Sequence, residues 1–334
     1  MDKSIYLNKS ILVTGGTGMI GRQLVSQLVD LGARVRVVSL DEQKGMPEGV
    51  ECIKLNLMQY QNCLKACEGI EFVFHLAGIK VGAGTTLSRP ASIFVPGILF
   101  NTNMMEAARV SGVKRYLYTS TLGVYGPAQR FFEDDVWKTM PSRLDWFGGW
   151  AKRMGELQAE AYAIEYGWTK IAIVRPANTY GPFDNFDPAN AMVIPSLIRR
   201  IADGENPLTV WGDGSEIRDF VHSQDVAHGM LLAMEHADGR PINLGSGTGV
   251  SIRQLVDAIC AAFPQPPNVV WDSSKKSGDA IRIMDIERAK SIGYAPRVAL
   301  EDGIRETVKW FLAHRTASDT KYNVFRDSVQ VAKD

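Results

Sequence analysis

At 334 residues, with 45% hydrophobic and 22% charged residues, the chain has an ordinary globular composition and enough length to bury a large core in one domain or two joined ones. Lys plus Arg total 37 and Asp plus Glu total 37, so the net charge is zero; this offers no attractive field to nucleic acid or a membrane surface, and an anionic ligand must be met by local charges. Cys52, Cys63, Cys67 and Cys260 have no paired metal spacing, Met1–Ser10 holds no apolar h-region, and no apolar run nears the ~18 residues of a membrane helix, so the expectation is a cytoplasmic protein with free thiols and no metal.

In chain order, strands are expected at Ser10–Thr14, Arg34–Leu40, Glu51–Leu55, Phe72–Leu76, Arg115–Ser120 and Thr169–Arg175. Helices are expected at Met19–Leu31, Ile98–Ser111 and Trp150–Tyr166 between them. Short apolar strands alternating with helical patterns imply βαβ units and a doubly wound parallel sheet of the α/β class, covered on both faces. Beyond Tyr180 the regularity weakens: a Gly/Pro/Asn/Asp-rich loop at Gly181–Asn190 precedes helices near Ile194–Ala202, Ser223–Glu235, Ser251–Phe263 and Leu300–His314, with short strands at Leu208–Trp211 and Val269–Trp271. The residues after Ala317 are polar.

Ile11-Leu-Val-Thr-Gly-Gly-Thr-Gly-Met-Ile-Gly21 places Gly15, Gly18 and Gly21 where an apolar strand ends and a helix opens. Glycines there permit a sharp turn, close approach to a pyrophosphate and tight helix–strand packing, and the helix N-terminus offers N–H groups to the phosphates. Asp41 follows the second strand, where a carboxylate can accept hydrogen bonds from the adenosine ribose and repel a 2′-phosphate, which favours NAD. Arg36, in mid-strand, is poorly placed to welcome NADP.

Gly15-x-x-Gly18-x-x-Gly21 resembles the spacing of the extended short-chain dehydrogenase/reductases. His75-Leu-Ala-Gly78, Tyr118-Thr-Ser-Thr-Leu-Gly-Val-Tyr-Gly126, Arg175-Pro-Ala-Asn-Thr-Tyr-Gly-Pro182, Gly212-Asp-Gly-Ser-Glu-Ile-Arg-Asp-Phe-Val-His222 and Asn243-Leu-Gly-Ser-Gly247 agree in order. Within that group the chain is similar to the NAD-dependent sugar-nucleotide epimerases and dehydratases. Tyr180-Gly-Pro-Phe-Asp-Asn-Phe186 and Lys276-Ser-Gly-Asp-Ala-Ile-Arg-Ile-Met-Asp285 look closest to the GDP-L-fucose synthases. The resemblance implies a Rossmann domain over 1–180 and 219–248, a smaller α/β sugar-nucleotide-binding domain over 181–218 and 249–316, and a polar tail over 317–334. It further implies a homodimer through the helices near 98–111 and 150–166, and a GDP-sugar as the favoured substrate, with UDP- or dTDP-sugars as alternatives.

The expected cofactor set begins in the first βα unit with Gly15, Thr17, Gly18, Met19, Ile20, Gly21 and Asp41. By the resemblance it continues with Asn56 and Leu57, then Leu76, Ala77 and Gly78, then Thr119, Lys152, Pro176 and Asn178. Thr121 matches the family's catalytic Ser/Thr and Lys152 its catalytic lysine; Asn178 matches the sugar–nicotinamide boundary and Arg218 a residue that grips the substrate diphosphate, with Arg282 a second candidate for the nucleotide end. A guanidinium fork suits a diphosphate. Lys80, Val193, Arg199 and Trp211 complete the substrate-side candidates, with Thr121 and Asn178 shared between sets.

One position breaks the pattern. The family tyrosine, an acid or base at a sugar hydroxyl, stands one helical turn before the lysine; here Trp146-Phe-Gly-Gly-Trp-Ala-Lys152 puts Gly148 there. Positions matching the cysteine and histidine that fucose synthases use for epimerisation hold Gly123 and Met192, and Asp41 departs from those reductases' NADP preference. The expected function is therefore NAD-dependent oxidation of a sugar nucleotide at C4 with a substitute base, for which Tyr125 is a candidate. A 4-keto sugar-nucleotide reductase and a non-catalytic NAD or sugar-nucleotide binder are the alternatives.

Overall fold

The computed structural model describes residues 2–42, 44–79, 86, 88–275 and 279–315. Its centre is a seven-stranded parallel sheet of β1 (Ser10–Thr14), β2 (Arg34–Val38), β3 (Glu51–Ile53), β4 (Phe72–His75), β5 (Arg115–Thr119), β7 (Ile171–Pro176) and β12 (Pro241–Leu244), in the spatial order β12-β7-β5-β4-β1-β2-β3. β6 (Arg130–Phe131), β8 (Asn178–Tyr180), β9 (Leu208–Trp211), β10 (Ile217–Arg218) and β11 (Phe220–His222) belong to smaller sheets. The apolar runs are buried because helices cover both faces. Along β1, Ile11 and Val13 face one core with Leu24 and Leu28 of the Met19–Asp30 helix and Met230 and Leu231 of the Ser223–Glu235 helix. Leu12 faces the other, with Met104 of the Ala91–Val110 helix and Ala159 of the Trp146–Tyr166 helix.

The strand order reverses between β1 and β4, which opens a crevice at the carboxyl ends of the strands. A third core gathers Tyr180, Phe186, Leu197, Ile198, Leu255, Ile259, Ile304 and Phe311 from the later segments. Beside it lies a four-stranded sheet in the order β13 (Val250–Ser251), β10 (Ile217–Arg218), β15 (Ile281–Met284), β6. β6, from the segment after β5, pairs with β15 through Ile283↔Arg130 and Met284↔Phe131, tying the later sheet to the segment that leaves the first.

Several elements differ from expectation. The Trp146–Tyr166 helix starts four residues before Trp150, and the Ala91–Val110 helix starts at Ala91 and runs through Pro96, which has no N–H to give within the helix. The Tyr60–Cys67 helix and β12 were not expected. Pro241-Ile-Asn-Leu244 is short and carries Pro and Asn, which disfavour strands; it is held because Asn243 donates to the carbonyls of Phe131 at 2.9 Å and Asp285 at 3.0 Å. All four cysteines are free, Cys52 exposed and the others buried. Among the described residues no helix is long and apolar enough to cross a membrane, and no cluster of His, Cys, Asp and Glu is set to hold a metal.

Candidate functional site

The glycine turn sits at the strand-order switch. Gly15 has φ +67, and a Cβ there lies 2.9 Å from the Ala77 backbone nitrogen, so a side chain would push β1's end from the loop after β4. A Cβ on Gly21 would stand 2.3 Å from the Gly15 carbonyl oxygen. Gly18 is the N-cap of the Met19–Asp30 helix and no side chain caps it, which leaves the first-turn N–H groups of Met19, Ile20 and Gly21 for a ligand. A pocket there is lined by Gly15, Thr17, Gly18, Asp41, Asn56, Leu57, Leu76, Ala77 and Gly78, nine of the expected cofactor residues. Val38, Met58 and Phe100 add an apolar wall suited to an adenine ring. Backbone that only glycine permits, an uncapped helix start and a carboxylate on the rim fit a dinucleotide.

Asp41 accepts from the Thr17 hydroxyl at 3.1 Å, and its backbone N–H donates to Ser39 Oγ at 3.2 Å, which holds the carboxylate at the end of β2. The basic side chains near it are engaged elsewhere. Arg36 pairs with Glu51 at 2.7 Å and donates to the Ala66 and Glu68 carbonyls. Arg22 donates to the carbonyls of Thr17, Lys44 and Gly45 and lies 4.5 Å over the Phe183 ring.

On the other side of the sheet's carboxyl edge, Lys152 donates from Nζ to the Thr119 carbonyl at 2.8 Å and lies 5.1 Å over the Tyr118 ring. Burial pushes its pKa down to about 8, against the opposing pull of Glu156. Thr119 Oγ1 is buried with no hydrogen-bond partner among the described residues. Thr121 opens a short 3-10 turn, Leu122–Val124, and its Oγ accepts from the Gly123 N–H at 3.2 Å, leaving its own proton to give. Asn178 is tied to the Asp219 carbonyl through Nδ2 at 3.0 Å, and Pro176 ends β7 buried.

Gly148 lies in the first turn of the Trp146–Tyr166 helix, and a Cβ built on it meets nothing within 4 Å. Its neighbour Gly149 is packed tight: a Cβ there would be 2.4 Å from the Gly123 carbonyl oxygen. Just ahead, Asp145 accepts from the Ser142 hydroxyl at 3.0 Å and pairs with Arg282 at 2.8 Å. A Cβ on Gly123 would stand 3.1 Å from Asp145 Oδ1, so this carboxylate occupies the place of a side chain at 123. Sequence reasoning missed Asp145; the available signal was a carboxylate at helical spacing before Gly148 and Lys152.

Tyr125 is a correction. It is 2% exposed, its hydroxyl donates to Asn243 Oδ1 at 2.6 Å and accepts from Arg175 at 2.9 Å, and its ring stacks on Phe131. Burial raises its pKa well above the ordinary phenol value, so it is a core residue and not a substitute base. It belongs to a network that sequence reasoning also missed: Arg175 makes two bonds to Glu156, at 2.9 and 2.6 Å, and Ser120 Oγ donates to Glu156 at 2.5 Å, all beneath the end of β5.

On the substrate side, Arg218 and Arg282 are register partners on β10 and β15, two guanidinium groups on adjacent strands. Val193 opens the Val193–Ala202 helix, where Arg199 pairs with Asp203 at 3.4 Å, and Trp211 ends β9 (Leu208–Trp211), exposed beneath Lys275. These three sit on elements separate from the Arg218–Arg282 strand pair. Met192 is the N-cap of the same helix. Lys80 lies outside the described residues, as do Lys276–Gly278 and the 317–334 tail.

Comparison with known proteins agrees with this geometry. The chain is 31% identical over 314 residues to a probable GDP-L-fucose synthase 1 of Oryza sativa, covering 90% of this chain and 92% of that protein. It is 28% identical to the dTDP-4-dehydro-6-deoxy-D-allose reductase of Streptomyces bikiniensis, covering 94% and 99%. Among solved structures, the Thermus thermophilus UDP-glucose 4-epimerase in complex with NAD matches with a TM-score of 0.79 at 27% identity, covering 91% of this chain and 99% of that one. Residues 11–245 match the profile of the NAD dependent epimerase/dehydratase family. With a Rossmann sheet, a glycine turn at its switch point and a Thr–Lys pair at its carboxyl edge, this chain belongs to that family of extended short-chain dehydrogenase/reductases.

Proposed function

We propose that this protein is an NAD-dependent enzyme that oxidises a sugar nucleotide at C4 of the sugar, permanently or as a transient step, from a site with no tyrosine one turn before its lysine. The observation that carries the reading is Lys152, which keeps its place on the Thr119 carbonyl while the helix face at Gly148 stands open. Bound NAD⁺ supplies a hydride acceptor. Asp41 holds the adenosine ribose, the uncapped helix start after Gly18 takes the pyrophosphate, and Lys152 puts a positive charge at the edge of β5. Thr121 donates to a sugar oxygen, and Arg218 with Arg282 takes the diphosphate of a nucleotide sugar, GDP-linked by preference, with UDP- and dTDP-sugars as alternatives.

Incubating the cytoplasmic protein with NAD⁺ and a panel of GDP-, UDP- and dTDP-sugars, following NADH absorbance and product mass, tests the reading; the expected result is oxidation or epimerisation of at least one. NAD(H) is expected to bind far more tightly than NADP(H), with Asp41→Ala narrowing the gap; calorimetry that found NADP(H) equal or tighter would remove Asp41 from the ribose site. The named reductase relative favours a second reading, reduction of a 4-keto sugar nucleotide, which the same panel separates by consumption of reduced cofactor on keto sugars alone. Inertness toward every substrate, with binding intact, leaves a non-catalytic binder.

The domain division, 1–180 with 219–248 against 181–218 with 249–316, is supported by the third core, built mostly from 181–218 and 249–316, while Met284, Ile286, Ala289 and Tyr294 pack in the first core and Tyr180 and Phe220 in the third. A homodimer through the Ala91–Val110 and Trp146–Tyr166 helices is supported by their exposed apolar residues, among them Val95, Leu99, Leu157 and Ile164 at 79% exposure. Sedimentation as a monomer would exclude it.

A further inference from the structure

The turn that lacks the tyrosine carries a carboxylate with no assigned role. Asp145 is held at its Oδ2, which accepts from Ser142 and Arg282, while Oδ1 takes no hydrogen bond among the described residues. The side chain is 30% exposed. Oδ1 lies against Gly123, 3.1 Å from where a Cβ on that glycine would start, two residues beyond Thr121. Its position is fixed by backbone: Gly149 packs so closely on Gly123 that a Cβ would come within 2.4 Å of its carbonyl oxygen, docking the helix start on the turn after β5. Asp145, Gly148 and Lys152 follow at helical spacing, and a Cβ on Gly148 meets nothing within 4 Å.

We propose that Asp145 is the proton acceptor of this site, in place of the tyrosine that position 148 lacks. The inference rests on the oxidation reading given above. In the step, the sugar hydroxyl loses its proton to Asp145 Oδ1 while its carbon gives a hydride to NAD⁺. The O–H and C–H bonds break, the C=O bond forms, the carboxylate becomes a carboxylic acid and the cofactor is reduced. The return transfer to a keto sugar runs backward through the same acid.

Several charged groups surround Asp145. Arg282 of β15 is paired with it and lies 3.8 Å from Asp279, Arg218 is Arg282's neighbour in register, and Lys152 stands two turns along the helix. A diphosphate drawn to Arg218 and Arg282 competes with Asp145 for the Arg282 guanidinium.

The test uses the full chain and the sugar nucleotide that the unmutated protein oxidises. Asp145→Asn keeps the size of the side chain and its contact with Ser142. Hydride transfer at saturation is expected to fall by ~10²–10⁴-fold, the usual contribution of a positioned proton acceptor. Calorimetric affinity for NAD⁺ is expected to hold within about threefold, and that for the sugar nucleotide to hold or rise, since the variant releases the Arg282 guanidinium to the diphosphate. Added formate should restore part of the rate to Asp145→Ala. Saturated turnover of Asp145→Asn equal to that of the unmutated protein, or a loss confined to sugar-nucleotide affinity, overturns the proposal and makes Asp145 a positioning residue for Arg282. Absence of any turnover in the unmutated protein overturns the oxidation reading, and this proposal with it.

Discussion

Two helices begin at the carboxyl edge of the same sheet with glycines in their first turns, and the glycines are there for different reasons. At Gly15–Gly21 the backbone is so crowded that a Cβ would strike the Ala77 nitrogen or the Gly15 carbonyl, so glycine is a steric requirement of the turn itself. At Asp145–Gly149 the requirement is split. Gly149 is equally crowded, whereas Gly148 borders open space and nothing in the backbone asks it to be glycine. The difference teaches that glycine at 148 is not demanded by local packing, because a Cβ there would meet nothing within 4 Å.

Substitutions at the two helix starts separate these cases. The largest effect is expected from Gly21→Ala, where overpacking against backbone should cost the upper part of ~1–3 kcal/mol in urea unfolding and remove NAD binding; unaltered cofactor affinity would break the account of the first turn. Next, Arg218→Ala should weaken sugar-nucleotide binding by ~1.5–3 kcal/mol, the scale of charged hydrogen bonds. NAD affinity should hardly move, since Arg218 lies on β10 and not in the cofactor pocket. Normal binding of every nucleotide sugar would return Arg218 to a structural role. Gly149→Ala should destabilise by ~1–3 kcal/mol through its contact with Gly123. The smallest effect should come from Gly148→Ala, a gain of ~0.5–1 kcal/mol from reduced unfolded-state freedom. Equal costs for the two neighbours would erase the distinction between them.

The first of these turns was legible in the sequence and the second only in part. The strand, three spaced glycines and Asp41 are local signals, and nine residues named from them and from the family pattern meet in one pocket. Motif order also gave Thr121, Lys152 and the absence at Gly148. Asp145 was hidden because its setting depends on Gly123, twenty-two residues earlier, and on Arg282, which reaches it from β15. Tyr125 misled for the same reason: its place in the motif lies close to Thr121, but the side chain turns inward to Asn243 and Arg175. The start of the Trp146–Tyr166 helix was missed because Gly148 and Gly149 are weak helix formers, and tertiary docking on Gly123 overrides that propensity. Strand β12 escaped because its hydrogen-bonded Asn243 reads as a turn residue until Phe131 and Asp285 are beside it.

The claim that this site works without a tyrosine at 148 is tested most directly by comparing NADH formation in the unmutated protein and in Gly148→Tyr across the same sugar-nucleotide panel. The account predicts turnover by the unmutated protein and no gain, or a loss, in the variant, because the new ring fills space that substrate and Asp145 share. An inert unmutated protein that begins to form NADH when the tyrosine is supplied would contradict it, and would mark the chain as a family member that has lost its base.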